Sequence, residues 1–196
     1  MNAQAFWSVI GNYNKQTWAI QILLLLFVIC SLVLSYTRKV TWAAKFSLGI
    51  ANLWIGIVFF AWYGTEPIQR FFALPLYLLC GSLFLSEARK YRDDALAPPN
   101  VPQTILLLLY FIYPIISMLL GNSFPQMVTH MMPCPVISLS MAVYAGYPRK
   151  NKVLLALLTI WGLTGIKSII FHAYEDIILL IAGLYGIALF IRDAKQ

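Results

Sequence analysis

The chain has 196 residues, of which 61% are hydrophobic and 11% are charged, and its formal net charge is +7 at pH 7. A soluble domain carries about 25% charged residues, so this composition excludes a soluble globular domain and predicts apolar surface that faces lipid. We predict one all-α domain over residues 1–196, a polytopic transmembrane helical bundle. The basic residues are scattered over short loops, which indicates contact with anionic lipid headgroups and not with nucleic acid.

Apolar runs of roughly 20 residues predict helices that cross a hydrocarbon core about 30 Å thick. Residues 3–16 mix aromatic and polar side chains and predict a short interfacial helix before the first crossing. The fifth run is short, so either residues 131–135 dip into the membrane or the helix is thin and its site opens to water. The predicted spans are residues 17–36, 43–63, 68–87, 103–121, 134–147, 152–171 and 174–192.

The distribution of basic residues predicts the orientation of these seven spans. Residues 88–102 are polar and rich in proline, and they predict a linker between spans one to three (17–87) and spans four to seven (103–192). Eleven lysines and arginines fall on the side of this linker, whereas Lys15, Arg70 and Lys167 fall on the other side. Cytoplasmic loops carry the excess of basic residues. We therefore predict a plasma (inner) membrane protein with its N-terminus outside and its C-terminus in the cytoplasm.

Uncommon polar residues gather on the predicted outer side, close to the ends of the spans. Ionisable groups near the membrane are candidates for function, although polar side chains at helix ends also reach the headgroups at little cost. Glu175 and Asp176 fall in the first turn of span seven, where the helix dipole stabilises negative charge. Adjacent helical residues point about 100° apart, so we expect one of the two to face the interior. The set comprises Asn12, Asn14, Glu66, His130, Cys134, His172, Glu175 and Asp176.

The sequence Pro133-Cys134-Pro135 is the most constrained backbone in the chain. Two prolines remove two hydrogen-bond donors, and they predict that Cys134 lies in a turn or an extended break at the mouth of span five. Transporters place substrate at such breaks, although an ordinary short helix also begins in this way. Our first hypothesis is a transporter, or transporter component, for a small solute or ion. Its outward-facing site would be formed by Asn14, Glu66, Cys134 and Asp176.

A second hypothesis is a membrane-embedded metal-binding or redox protein, or an enzyme, that uses His130, His172 and Cys134. Imidazole and thiolate groups are metal ligands, but the spacing of these residues matches no known metal motif. A structural or assembly protein without a small ligand is the third hypothesis. The sequence identifies no cofactor. The partners it indicates are the lipid bilayer, a small solute or cation, and a second copy of the chain in a homo-oligomer.

The order of several motifs resembles an uncharacterised family of small bacterial integral membrane proteins, known only as a domain of unknown function. The resemblance covers nearly the whole chain, and its most specific part is the Cys-Pro turn before the fifth run. Two threonines usually follow that turn in the family, whereas Val136 and Ile137 follow it here. The resemblance implies a role for Asp176 over Glu175, and it implies no activity. The motifs are Asn12-Tyr13-Asn14 with Trp18, Tyr113-Pro114, Pro133-Cys134-Pro135, and Glu175-Asp176 followed by Gly183.

Overall fold

The computed structural model describes residues 3–193, and all regular elements within this range are helices. This confirms the predicted all-α bundle. Six of the seven helices are long and apolar enough to cross a membrane, and α5 is shorter. The helices are α1 (Ala3–Tyr36), α2 (Ala43–Trp62), α3 (Gln69–Lys90), α4 (Val101–Leu119), α5 (Pro133–Tyr144), α6 (Lys152–Phe171) and α7 (Tyr174–Arg192).

The first helix is longer than one membrane crossing requires. It has 34 residues and therefore extends about 51 Å at 1.5 Å per residue. Residues 3–16 are helical, as predicted, but they continue into residues 17–36 without a break. The predicted boundary between an interfacial helix and span one is therefore not a break in the structure, because no residue in this region interrupts the hydrogen bonding of α1.

Two of the helices contain segments with π-helical hydrogen bonding, on either side of the turn that joins α2 to α3. The last eight residues of α2, Ile55–Trp62, form one segment, and the first five residues of α3, Gln69–Ala73, form the other. Such segments are rare in proteins, but those that do occur are often found at functional sites. They alter which side chains of a helix face the interior.

The short helix α5 lies at the centre of the bundle. All of its residues except Cys134 are buried, and it contacts α2, α4, α6 and α7. Its 12 residues extend about 18 Å, which is less than the thickness of a hydrocarbon core. Its sequence is largely apolar, as suits a helix that protein encloses, and its two serines, Ser138 and Ser140, are buried and hydrogen-bonded.

The chain before α5 folds inward between α1 and α4, and we call its residues 125–132 the inward segment. The Tyr13 hydroxyl donates to the backbone oxygen of Met131 at 2.6 Å, and a ring nitrogen of His130 lies 3.1 Å from the backbone oxygen of Phe111. Phe111 lies eight residues before the end of α4, so the segment reaches about 12 Å into the bundle. This segment therefore runs inward along the bundle, while both predictions for the fifth run concern the membrane and stay predictions.

Loop contacts define two ends of the bundle. At the Asp176 end, where α7 begins, Tyr63 donates to Gln16 at 2.9 Å and the ring of Phe6 stacks on that of Phe171. At the Lys45 end, where α2 begins, the N–H of Ala97 donates to the backbone oxygen of Gly146 at 3.1 Å. The inward segment and α5 together join the Asp176 end to the Lys45 end.

Candidate functional site

Two adjacent carboxylates are buried where α7 begins. The Tyr113 hydroxyl donates to Asp176 Oδ1 at 2.7 Å, and the Ser117 hydroxyl donates to Glu175 Oε1 at 2.7 Å. Tyr113 and Ser117 lie one turn apart on the same face of α4. Contrary to our expectation, both acidic side chains face the interior, with residue exposures of 1% for Glu175 and 8% for Asp176. The 3₁₀ turn Tyr174–Asp176 still sets adjacent side chains about 120° apart. Both are buried because different groups cover them. Tyr113 and Cys134 cover Asp176, whereas Ser117 and Asn122 cover Glu175.

The thiol of Cys134 completes the surroundings of Asp176. Its Sγ donates to Asp176 Oδ2 at 3.2 Å, and the neighbouring backbone oxygen of Pro133 accepts from the Tyr77 hydroxyl at 2.7 Å. The predicted break lies at Met132, whose φ of −118° and ψ of 164° are extended, and Cys134 itself is helical. The prediction of a non-helical Cys134 is wrong. Backbone N–H groups in the first turn of a helix have no acceptor within the helix, so prolines, which lack an N–H, are accommodated there.

A cavity of about 350 Å³ opens beside Asp176 and Cys134. Its walls are mostly apolar, and both π-helical segments contribute to them. Polar groups on its lining include Gln69, Thr164 and Ser168, with Lys167 exposed at the rim. The cavity is therefore an apolar space with a single acidic side chain at its base. Its aromatic lining residues are Phe6, Phe59, Phe60, Phe72, Trp161 and Phe171.

The other two residues of the predicted transport site lie elsewhere. Asn14 is buried and donates to the backbone oxygens of Pro125 and Met127 at 2.7 and 2.8 Å, so it holds the inward segment against α1. It borders a second cavity of about 390 Å³, which His130 also lines. Glu66 lies in the turn between α2 and α3, where its N–H donates to Gln69 Oε1 at 3.0 Å. The structure thus brings together Cys134 and Asp176 and separates them from Asn14 and Glu66.

The two histidines occupy different surroundings. His130 packs against the ring of Tyr110, with ring centres 5.2 Å apart. His172 is exposed, has a left-handed backbone with φ of 54°, and lies 3.2 Å from the Tyr174 hydroxyl. Neither histidine lines the cavity beside Cys134. Among the described residues, no three His, Cys, Asp or Glu side chains form a group that could hold a metal ion.

A second charged cluster, which the sequence analysis missed, lies at the Lys45 end. The Lys45 side chain is fully buried, with its Nζ 3.6 Å from Glu87 Oε2 and 3.7 Å from Asp94 Oδ2. The same Nζ lies 4.2 Å from the centre of the Tyr147 ring, a distance suited to a cation–π interaction. In the sequence, Lys45 falls just inside the second apolar run, and the predicted topology counted it as a loop cation.

Further hydrogen bonds close this cluster. The Tyr144 hydroxyl, at the end of α5, donates to Glu87 Oε1 at 2.6 Å. The Arg149 guanidinium binds the Asp94 carboxylate through two nitrogens, one of them Nε at 3.0 Å from Oδ1. Two cations and two carboxylates therefore meet at this end, and the loops 37–42, 91–100 and 145–151 converge around them.

Comparison with known proteins gives a family and no close relative of known function. The model of a family of unknown function (DUF6064) matches residues 3–196, which confirms the resemblance to a family without an assigned activity. No curated protein and no solved structure matches the chain. The two buried clusters and the cavity are therefore the basis for any functional conclusion.

Proposed function

The chain belongs to this family of unknown function, DUF6064, and we propose that it is a membrane transporter for a small amphipathic organic cation. The observation that carries the proposal is an asymmetry between its two ends. A cavity of about 350 Å³ reaches Asp176 at one end, whereas an ion-pair cluster around the buried Lys45 closes the other. Access from one side at a time is what a carrier requires in each of its states.

The lining of the cavity supports a cationic, partly apolar ligand. Six aromatic side chains give it an apolar surface, and aromatic faces attract cations. Asp176 accepts one hydrogen bond at each oxygen, from Tyr113 and from Cys134. An ionised carboxylate has about four acceptor positions, so Asp176 retains capacity for a ligand N–H or a cation. Ligand sites generally combine such an apolar lining with a few polar groups that fix orientation.

The cluster at the Lys45 end has the properties of a closed gate. Glu87 and Asp94 come from α3 and the loop after it, Lys45 from α2 and Arg149 from the loop before α6. Opening this end would separate charges that neutralise one another in a buried environment, which is costly unless water replaces them. The closed cluster is therefore consistent with a state whose cavity faces the Asp176 end.

We also propose seven crossings with the Asp176 end outside, in the inner membrane. Six helices have sufficient length, and the inward segment together with α5 joins the two ends. Most of the described basic residues lie at the Lys45 end, whereas Lys15, Arg70 and Lys167 lie towards the other, and this bias supports a positive-inside topology. Cysteines introduced by Arg149→Cys and Ser123→Cys test the orientation with an impermeant thiol reagent on intact cells. We expect reaction at position 123 and protection at position 149, and the reverse pattern would contradict the proposal.

Transport is tested with purified protein in lipid vesicles and ethidium, a fluorescent aromatic cation, as the probe. We expect protein-dependent uptake that Asp176→Asn reduces by about tenfold or more, because a buried charge pair contributes more than 1.4 kcal/mol. Asp93→Asn, at an exposed carboxylate of the Lys45 end, is the matched control and should retain uptake. Equal uptake by vesicles with and without protein, or no effect of Asp176→Asn, would contradict the proposed function.

A further inference from the structure

We propose that Glu175 and Asp176 together form the binding site of a small monovalent cation, H⁺ or Na⁺, whose movement drives the transport. This inference rests on the proposed function, since it assigns a coupling ion to the same site. It starts from the charges that the structure places where α7 begins, and from one carboxylate oxygen that has no partner there.

The two carboxylates at the Asp176 end lack a counter-charge among the described residues. Glu175 and Asp176 are adjacent and buried, yet within residues 4–192 neither forms an ion pair with a basic side chain. Burying a carboxylate is costly unless a cation or a proton neutralises it. The cluster at the Lys45 end, with two cations for its two carboxylates, shows the usual solution in this same chain. The pair at the Asp176 end therefore takes up a cation that the described residues do not supply.

One oxygen atom of the Glu175 side chain lacks a hydrogen-bond partner among the described residues. Glu175 Oε1 accepts from Ser117 at 2.7 Å and from Asn122 at 3.4 Å. Its other oxygen, Oε2, is buried and has no hydrogen-bond partner among the described residues. An unpaired buried acceptor costs about 1–3 kcal/mol, and more when it is charged. Oε2 is therefore the atom at which a proton or a small cation would bind.

The side chains in contact with the two carboxylates are neutral donors, so a small ion can bind at Glu175 Oε2. From α4, Tyr113 and Ser117 present hydroxyl groups that donate to the two carboxylates, and from α5 Cys134 presents a thiol. From α6, the cavity receives Lys167, which is exposed at the rim. Ser117 Oγ also accepts from the N–H of Val128 at 3.0 Å and from the Asn122 amide at 3.2 Å, so both of its lone pairs are engaged. None of these groups supplies a buried positive charge.

The arrangement suggests how an ion and an organic cation would be coupled. Asp176 lines the cavity, whereas Glu175 lies behind it and does not contribute to the cavity wall. An organic cation that binds Asp176 adds positive charge beside the pair and weakens the binding of the small cation at Glu175. Release of one ion upon binding of the other is the requirement for exchange transport, because the two ligands then oppose each other's binding by equal free energies.

Infrared difference spectroscopy on the purified protein in lipid tests the ion site without any organic cation. One series raises pH from about 5.5 without Na⁺, a range in which exposed carboxylates such as Asp93 are already largely ionised, and a second changes Na⁺ concentration at constant pH. For H⁺, we expect loss of the protonated carboxyl band as pH rises. For Na⁺, we expect a shift in the carboxylate bands at constant pH. Glu175→Gln should reduce the signal by at least half, whereas Asp93→Asn should leave it unchanged.

The outcomes separate this inference from the proposed function. A carboxyl signal that responds to neither ion in the wild-type protein would overturn the inference, and so would a signal that Glu175→Gln and Asp176→Asn both leave unchanged. A normal signal in a protein that does not transport ethidium would uphold the ion site and reject the proposed substrate class. Ethidium uptake that is insensitive to both gradients would reject coupling while leaving transport intact.

Discussion

The Cys134 thiol donates a hydrogen bond to Asp176 Oδ2 at 3.2 Å and so joins the first turn of α5 to the first turn of α7. Residues that are 42 positions apart in the chain thereby form the base of the cavity. Tyr113 approaches the same carboxylate from α4, so three helices meet at one acidic group. Substitutions can test the contacts of this site, the charged cluster at the Lys45 end and the helix packing between them.

Replacing Tyr113 by phenylalanine should destabilise the protein by about 2 kcal/mol, because a hydrogen bond to a charged group is lost and Asp176 stays buried. Thermal unfolding in detergent measures the change. Tyr110→Phe is the matched control on the same helix, since the Tyr110 hydroxyl is buried without a hydrogen-bond partner among the described residues. Its removal should be neutral or stabilising. Equal destabilisation by both substitutions would contradict the assigned role of the Tyr113–Asp176 contact.

Replacing Lys45 by methionine should cost about 3–5 kcal/mol, because two carboxylates lose a buried counter-charge. Adding Glu87→Gln should recover part of the loss, since one of the stranded charges is then removed. The unfolding transitions of the wild type, both single variants and the double variant give the coupling free energy. Strictly additive effects would show that the buried Lys45–Glu87 pair does not act as a unit.

Replacing Gly183 by alanine should separate α6 from α7. A Cβ atom at this position would lie 2.5 Å from the carbonyl carbon of Gly162, so the two backbones must move apart, at a cost of about 1–3 kcal/mol. Gly56→Ala is the control, because its nearest neighbour is the end of the Leu78 side chain at 3.2 Å. A larger loss of thermal stability for Gly56→Ala than for Gly183→Ala would contradict the packing described.

Replacing Asn14 by alanine should loosen the inward segment, because the Asn14 amide supplies hydrogen bonds to the backbone oxygens of Pro125 and Met127. Each bond contributes about 1 kcal/mol, so amide hydrogen exchange over residues 126–131 should accelerate by about tenfold or more. Asn12→Ala, at an exposed position on the same helix, should leave the exchange unchanged. Unchanged exchange in Asn14→Ala would mean that other contacts hold the segment.

The helices could be predicted from the sequence because the transfer of long apolar runs into lipid dominates the energetics of a membrane protein. Six of the predicted spans correspond to long apolar helices, and the ends of α6 and α7 coincide with residues 152–171 and 174–192 within the described range. The continuity of α1 was not predictable in this way, since the aromatic and polar composition of residues 3–16 suits both an interfacial helix and an extension of a longer one.

The site was less predictable because convergence in space depends on packing. Cys134 was predicted from its two flanking prolines, and Asp176 was preferred to Glu175 because of the family resemblance. The structure places the two side chains in contact. The burial of Lys45 escaped detection because one lysine near a span end usually reaches the headgroups. Its partners Glu87 and Asp94 lie more than 40 residues away, and no local pattern connects them to Lys45.

The most direct measurement is the equilibrium binding of ethidium to the purified protein, followed by its fluorescence, in the wild type and in Asp176→Asn and Asp93→Asn. If the cavity accepts organic cations through Asp176, the wild type and Asp93→Asn should bind with equal affinity. Asp176→Asn should then bind about tenfold more weakly or worse. Binding that is absent from the wild type, or that is unaffected by Asp176→Asn, would contradict the assignment of this cavity as the transport site.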